Sequence, residues 1–198
     1  MDAQELLHKY GLDAPPAHEE FIRQLRNLPL DAPKWLYSAA RPSELVQGDV
    51  VGPVHYVAVS EENQRAVIEG DVMVVSNTCD MVPDQSPFAL VAPVIELELY
   101  TTPETTPEDS WMNHLRALRK FEVGPYYYLP SWEGFDESFA DFSRITHLPS
   151  KYLVGLIENG QSARKISLSQ KGHLLLLSKL AYFFVRLETD QITRQSGN

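Results

Sequence analysis

The sequence predicts a mixed α+β fold, with a β-sheet region between helices at the two ends of the chain. The run Val72–Val75 is apolar without a break and rich in β-branched residues, which is typical of a strand buried on both faces. Apolar residues take the spacing of strands from Leu45 onward, and a long amphipathic helix is predicted from Leu168 to Leu187. The chain has 198 residues, 43% of them hydrophobic, which suffices for a substantial core.

The N-terminal part of the chain is predicted to be a helical arm. A short helix is predicted over residues 2–10. Apolar residues then recur at positions 21, 22, 25 and 28, which is the spacing of an amphipathic helix. A further helical turn is predicted over 34–37. We therefore interpret residues 1–44 as an arm of helices packed on the sheet region.

Strands are predicted in the middle of the chain, where apolar residues alternate or run together between turn residues. Gly52-Pro53 indicates a bend between the first two strands, and Pro93 indicates a bulge or corner. Asp141 is predicted to be exposed if the phenylalanines of its segment, Phe139 and Phe142, face inward. Ser110 can cap a helix inserted among the strands. The predicted strands cover residues 45–51, 55–59, 65–75, 88–100, 126–130 and 138–145.

The C-terminal helix is predicted to be a main support of the sheet. Ser167 and Gln170 can form a capping box at its start. Residues 45–188 then form one domain, and the residues from 189 to 198 form a polar tail. The apolar face of the helix is predicted to consist of Leu176, Leu177, Leu180, Phe183 and Phe184.

The composition disfavours several kinds of partner. The formal net charge is −10, from 17 basic and 27 acidic residues, so attraction to nucleic-acid phosphates or to anionic membranes is weak. A single cysteine excludes an intramolecular disulfide framework and suits a reducing compartment. The sequence shows no signal-peptide pattern and no apolar stretch of membrane-spanning length. We therefore expect a cytoplasmic protein that does not bind membranes.

Three short motifs occur in the order seen in a known family. Gly48-Asp49-Val50-Val51, Val74-Val75-Ser76-Asn77 and Leu90-Val91-Ala92-Pro93 resemble segments of the MazF/PemK-type toxins, which cut RNA. The similarity covers residues 47–100. It implies a small SH3-like (MazF-like) β-barrel, here with the helical arm and the long C-terminal helix added. It also implies a role in a bacterial toxin-antitoxin, stress or defence system.

A second resemblance concerns the end of the central strand. Ser76–Asp80 is similar to a Ser-x-Thr-Cys-Asp strand end found in less characterised bacterial proteins. Those proteins also have a C-terminal helix that ends in Phe-x-Arg, as Phe184-Val185-Arg186 does here. This resemblance implies no defined chemistry.

Two groups that the toxins use are replaced in this chain. The toxins carry an arginine shortly before the Val-Val-Ser-Asn strand end and a threonine shortly after the Val-Ala-Pro run. Here Glu69-Gly70-Asp71 and Ile95 stand near those two places. RNA cleavage needs groups that activate the 2′-hydroxyl and stabilise charge on the phosphate. The resemblance therefore implies the barrel without the nuclease, and an active endoribonuclease toxin stays open as an alternative.

Cys79 and Asp80 are the candidates for chemistry if the protein is an enzyme. A reactive thiolate needs a base or a positive neighbour, and His55 and His147 are the candidates for that role. In the structural interpretation, Cys79 is a small buried hydrophobe and Asp80 holds a turn through hydrogen bonds to the backbone. A metal site made of Cys79, Asp80 and a histidine lacks paired ligand spacing, so no metal and no cofactor are predicted.

The binding surface is predicted at the end of the central strand. Asp49 and Asp71 each follow a glycine and precede a valine, which indicates either two carboxylates at one edge of the sheet or two tight turns that lead into strands. The candidate binding residues are Ser76, Asn77, Thr78, Cys79, Asp80, Asp49 and Arg65.

Two other clusters have both a structural and a functional interpretation. A cationic run is either a solvated helix face or a docking site for phosphate or an acidic partner. An aromatic cluster can stack nucleic-acid bases, although alternation along a strand places at least one of its faces in the core. The cationic run consists of His114, Arg116, Arg119 and Lys120, and the aromatic cluster of Tyr126, Tyr127, Tyr128, Trp132 and Phe135.

The leading hypothesis is a non-catalytic MazF-like barrel that acts as a binding or regulatory module. Its expected partner is another protein, a homodimer stays open, and the net charge disfavours nucleic acid. The hypothesis from a different class is an enzyme that depends on Cys79, with Asp80 and a histidine as helpers.

Overall fold

The computed structural model describes residues 35–38, 44–59, 62–78, 86–100 and 106–184. The predicted helices at 2–10 and 21–28, and the predicted polar tail, lie outside these residues. The strands are β1 Val50–Val59, β2 Arg65–Val74, β3 Phe88–Glu96, β4 Tyr126–Leu129, β5 Ser138–Asp141, β6 Thr146–Pro149 and β7 Ala163–Ile166, and the helices are α1 Glu108–Arg119, α2 Ser150–Glu158 and α3 Gln170–Phe184.

The described part of the chain is an α+β fold built on one antiparallel sheet. Its strand order is β4-β5-β3-β2-β1-β7, and β6 also pairs with β3. Within the described residues, β4 and β7 are the two edge strands and do not pair with each other, so the sheet is open. Three helices accompany the seven strands over the same residues. No helix in the described ranges is both long and apolar enough to cross a membrane.

Strand β3 pairs with two different strands along one edge. Its first half, Phe88–Val91, pairs with β6, and its second half, Val94–Glu96, pairs with β5. A 3-10 turn at Phe142–Arg144 separates β5 from β6. Asp141 accepts a hydrogen bond from the backbone N–H of Ser143 at 2.9 Å and therefore caps this turn. Its side chain is buried, so the prediction that Asp141 is exposed is wrong.

The prediction that Val72–Val75 is buried on both faces is confirmed. Val72 and Val74 contribute to one core, which α2 covers through Leu153. Met73 and Val75 contribute to a larger core on the opposite face, which α3 covers. Successive side chains of a strand point to opposite faces, so an apolar run of this kind needs a cover on each side.

The β1–β2 hairpin is more continuous than predicted. The two predicted strands at 45–51 and 55–59 form the single strand β1, because a register shift between Val51 and Val54 absorbs the predicted bend. Residues 45–49 form a turn and loop before β1. Asp71 lies within β2, so the tight-turn interpretation is wrong at that position. Its carboxylate lies over Gly52, where a Cβ atom would come within 1.7 Å of Asp71 Oδ1.

Helix α3 packs on the larger core, as predicted, but its start and its buried face differ. Ser169 caps it by accepting a hydrogen bond from the N–H of Gly172 at 3.1 Å, in place of the predicted Ser167. Leu168 forms a β-bridge with Tyr37, and this bridge delays the start of the helix to Gln170. The buried residues of α3 are Gly172, Leu175, Leu176, Lys179 and Leu180, while Leu177 and Phe184 are exposed.

Helix α1 begins at Glu108, and its N-cap is Pro107, three residues before the predicted cap at Ser110. The segment 146–166, for which the sequence predicts no element, contains β6, α2 and β7. These elements are only 4, 9 and 4 residues long, which is too short for a clear periodic pattern.

Two helical glycines allow a matched test of how closely α3 approaches the rest of the fold. We expect Gly172→Ala to lower the free energy of unfolding by about 1–3 kcal/mol, because an added methyl group overpacks this contact. Its Cβ would lie 2.3 Å from the backbone oxygen of Leu36. We expect Gly155→Ala in α2 to raise stability by up to about 1 kcal/mol, the usual gain in a helix. No atom lies within 4 Å of the Cβ position at Gly155.

Urea denaturation of both variants measures this difference. Equal effects of the same sign would contradict the close approach of α3 to Leu36.

Candidate functional site

A polar network joins the end of β2 to the loop before β1 and to the start of α3. Gln47 Nε2 donates a hydrogen bond to the backbone oxygen of Val75 at 2.6 Å. The N–H of Gln47 donates to Thr78 Oγ1 at 3.2 Å. Gln47 Oε1 and His173 Nε2 lie 2.9 Å apart. We call residues 46–49 and 75–78 the rim.

A buried ion pair between Asp49 and Arg164 stabilises the rim. Asp49 has no exposed surface, and its Oδ2 lies 3.0 Å from Arg164 Nε on β7. The same oxygen accepts a hydrogen bond from the N–H of Val46 at 3.0 Å. Arg164 also donates to the backbone oxygen of Glu44 at 2.7 Å. The Asp49 side chain therefore holds the loop and β7 in place and has no access to a ligand.

Ser76 joins the rim to β3. Its Oγ accepts a hydrogen bond from the N–H of Leu90 at 2.7 Å, and its own N–H donates to the Leu90 oxygen at 3.2 Å. The alternation of β3 sends Ala89 and Val91 into a core, which leaves Phe88 and Leu90 on the other face.

An exposed apolar patch lies beside Ser76 on this face. Phe88 is 51% exposed and Leu90 45% exposed. His147 on β6 is paired with Leu90 and is also exposed. Its ring meets the ring of Phe88 edge-on, with centroids 5.3 Å apart. We call Phe88, Leu90 and His147 the rim patch.

The structure brings only some of the predicted site residues together. Asp49, Ser76 and Thr78 lie in the rim, and Asn77 is exposed between the last two. Cys79 and Asp80 follow Thr78 directly and lie outside the described residues. Their predicted roles, whether in catalysis or in a turn, stay predictions.

His55 and Arg65 lie far from the rim. His55 is in the outer part of β1, about 20 Å along the strand from Asp49 at a rise of about 3.3 Å per residue. Arg65 begins β2 and lies about 30 Å from the rim end of that strand by the same rise. Of the two candidate histidines, His147 is therefore the nearer to the rim, because its strand partner Leu90 is hydrogen-bonded to Ser76.

Asp49 and Asp71 do not form a pair of carboxylates. Asp49 contacts Arg164, whereas the charge that acts on Asp71 is that of Lys165, the next residue of β7. Adjacent residues of a strand point to opposite faces of a sheet. Burial raises the pKa of the Asp71 carboxyl above its usual value, and Lys165 opposes this effect.

The aromatic cluster is mainly part of the core. Tyr127 is fully buried and donates to the backbone oxygen of Gly172 at 2.9 Å, and burial raises its pKa well above the ordinary value. Tyr128 is buried and donates to Glu137. Phe135 is buried, and Tyr126 is half-buried. These rings therefore present no row of faces on which bases can stack.

The cationic run on α1 is divided among different contacts. Arg119 forms two hydrogen bonds with the carboxylate of Glu137, at 2.7 and 3.0 Å, and these hydrogen bonds lower the pKa of Glu137. His114 stacks on Trp111 with ring centroids 5.5 Å apart. Arg116 donates to Asn113 at 2.7 Å. The solvated helix face is the interpretation that these contacts favour.

Sequence reasoning missed several residues of the site. Gln47 and His173 are 126 positions apart, and no local pattern signals their contact. The exposure of Phe88 and Leu90 follows from their alternation with Ala89 and Val91 along the strand. The sequence does not show this alternation, because all four residues are apolar.

No group of three or more histidine, cysteine, aspartate or glutamate side chains within the described ranges is arranged to hold a metal ion. The chain matches no protein-family model and none of the curated proteins with which it was compared.

Proposed function

We propose that this protein is a non-catalytic MazF-like barrel that acts as a binding or regulatory module in a bacterial toxin-antitoxin, stress or defence system. The observation that carries the proposal is the contrast at the rim. The polar side chains of Gln47, Asp49, Ser76 and Thr78 hold backbone segments together, while Phe88 and Leu90 are exposed beside them. Polar side chains engaged with the backbone, beside an exposed apolar patch, suit docking better than catalysis.

The family part of the proposal depends on sequence motifs and is supported by the strand arrangement. The three motifs that resemble the toxins fall at the start of β1, at the end of β2 and in β3. These three strands are neighbours in the sheet, and the pairing of β1 with β2 shifts register between Val51 and Val54. Irregularities of this kind bend strands and help small sheets to curl towards a barrel.

The surroundings of the replaced toxin residues support a role without RNA cleavage. Ile95 packs against the larger core beside its strand partner Phe139. Asp71 is half-buried against Gly52, and a carboxylate at this place repels phosphate. Neither residue can supply the hydroxyl or the cation that the resemblance requires.

The chemistry of the rim patch favours a protein as the partner. Two large apolar side chains, flanked by His147 and Asn77, resemble the apolar centre and polar border of a protein interface. The net charge of −10 disfavours a polyanion as the partner. A cytoplasmic location belongs to the same proposal and agrees with the single cysteine.

Cross-linking from the rim patch tests the binding role. A photoreactive amino acid at Leu90 should capture one defined protein in the cells that make this chain. The same group at Leu177, which is 40% exposed on α3, should not capture that protein. With the captured protein purified, Phe88→Asp should weaken its binding at least about tenfold, because a charge in an apolar contact is desolvated without a partner. Equal capture from both positions would refute a docking role for the rim patch.

An RNA assay tests the non-catalytic part of the proposal. The purified protein should leave a mixed single-stranded RNA intact at low salt without added metal. Cleavage that is abolished by a point mutation in the sheet domain would instead support the endoribonuclease alternative.

One observation favours the cysteine-dependent enzyme as a second candidate. His147 lies on the strand next to Leu90, and Leu90 is hydrogen-bonded to Ser76, three residues before Cys79. Alkylation of the thiol as a function of pH separates the two functions. A catalytic thiolate reacts fast near neutral pH, whereas slow and steeply pH-dependent labelling would exclude this enzyme.

A further inference from the structure

The outer part of the β1–β2 hairpin projects beyond the rest of the sheet. β3 pairs with β2 only over Val72–Val74, and β7 pairs with β1 only over Val50–Gly52. From Val54 to Val59, β1 pairs with β2 alone among the described strands. On one face of this ribbon Tyr56 and Ala58 pack on the core under α2, while their strand partners Ile68 and Ala66 are exposed.

The opposite face of the ribbon is exposed along its whole length. We call it the outer face, and it consists of three cross-strand pairs. Val57 is 52% exposed, Val59 59% and Val67 70%, which leaves an apolar centre in water. A continuous apolar patch with charged ends is typical of a protein interface. The three pairs are His55 with Glu69, Val57 with Val67, and Val59 with Arg65.

The charges on the outer face complement a copy of themselves. Arg65 and Glu69 are on the same strand and the same face, two residues before and two residues after Val67. Consider a two-fold axis that lies between the two outer faces, perpendicular to the strands, at the level of Val67. This axis makes the two β2 strands antiparallel and places Arg65 of each copy over Glu69 of the other. The same axis stacks Val67 on Val67 and Val57 on Val57. A parallel arrangement would instead stack Arg65 on Arg65 and Glu69 on Glu69, which is repulsive.

We propose that the outer face is the interface of a symmetric homodimer, in which two hairpins pack face to face with antiparallel β2 strands. This assignment follows from the self-complementary order of charge, valine and charge along β2, which a two-fold symmetric interface requires. The interface is separate from the rim patch, because the outer face begins about 20 Å along β1 from the rim. A dimer therefore presents two rim patches to its partners. The small size of the face predicts a concentration-dependent equilibrium between monomer and dimer.

Thiol cross-linking tests the position of the two-fold axis. In a Cys79→Ser background, Val67→Cys should give a covalent dimer with a short bismaleimide reagent, because the two thiols face each other at the axis across sheets that pack about 10 Å apart. Val59→Cys is similarly exposed but should not cross-link, since its copy is displaced by about 13 Å, four residues, along the strand direction in this arrangement. Efficient cross-linking of both variants, or of neither, would overturn the proposed geometry.

Charge reversal tests the contact between the copies. Sedimentation equilibrium should show that Arg65→Glu weakens dimerisation by about tenfold or more, because it opposes like charges twice. Glu69→Arg alone should have a similar effect, and the two changes together should restore the dimer. Within one chain Arg65 and Glu69 are about 13 Å apart and do not touch, so a purely structural effect of either change would not be rescued.

A charge at the centre of the outer face tests whether this face forms the dimer. Val67→Asp should give a folded monomer, with an unchanged circular dichroism spectrum. A protein that stays monomeric up to about 0.5 mM would overturn the proposal and would point to a cover from the same chain, such as the residues before Trp35. A dimer that persists unchanged in Val67→Asp would place the interface elsewhere.

Discussion

Replacing Asp49 by alanine is expected to lower the free energy of unfolding by about 3–5 kcal/mol, because it leaves the buried guanidinium of Arg164 without its carboxylate. Asp49 is completely buried, and the side chain of Arg164 is only 9% exposed. The substitution also removes the acceptor for the N–H of Val46, which lies 3.0 Å from Asp49 Oδ2. Urea denaturation of the purified variant at pH 7 measures the loss.

Three further variants separate the charge from the hydrogen bond. Asp49→Asn keeps an acceptor for Val46 but not the negative charge, so its loss should be smaller than that of alanine. Asp49→Ala combined with Arg164→Met should recover part of the loss, since no uncompensated charge remains. Asp136→Ala removes an exposed carboxylate and should change stability by less than about 0.5 kcal/mol. If Asp49→Ala and Asp136→Ala were equally mild, the ion pair would not support the rim.

Replacing Leu176 by alanine should cost about 2–5 kcal/mol, the range for a buried leucine whose removal leaves a cavity. Leu176 has no exposed surface and belongs to the larger core, together with Met73 of the central strand. The thermal unfolding midpoint and the urea midpoint should both fall. This result would establish α3 as part of the cooperative unit that contains the sheet.

Leu174 gives the matched control on the same helix. It is 54% exposed, so Leu174→Ala removes little buried apolar area and should cost less than about 1 kcal/mol. The sequence pattern places Phe184 on the buried face, but its side chain is 63% exposed. Phe184→Ala should therefore also cost little stability. A large loss from Leu174→Ala with no loss from Leu176→Ala would mean that α3 packs through its other face.

The sequence predicted the strands better than their connections. The central strand, its burial on both faces and the docking of the C-terminal helix were all predicted, because each has a long apolar pattern. The short elements between Thr146 and Ile166 were missed, because four-residue strands have almost no periodicity. The exposure of Asp141 was predicted wrongly, because the side chain caps a 3-10 turn that the pattern does not reveal.

The candidate site was located only in part. The polar end of β2 pointed to Ser76, Asn77 and Thr78, and the structure places Asp49 beside them. His55 and Arg65 were also candidates but lie along the hairpin, far from the rim. The position of a residue along a hairpin depends on where the strands pair, and the residue pattern does not reveal the register of β1 and β2.

The fold class and the amphipathic elements follow from the residue pattern, because periodicity is a property of residues a few positions apart. Which apolar residues stay exposed depends instead on the packing of distant elements. Phe88, Leu90 and Val67 are as apolar as the buried Val72 and Val74, and they differ only in what covers them. Tertiary structure also decided the role of the charges. Arg164 meets Asp49 across more than a hundred positions, while Arg65 stays exposed, because long-range pairing depends on how the strands assemble into the sheet.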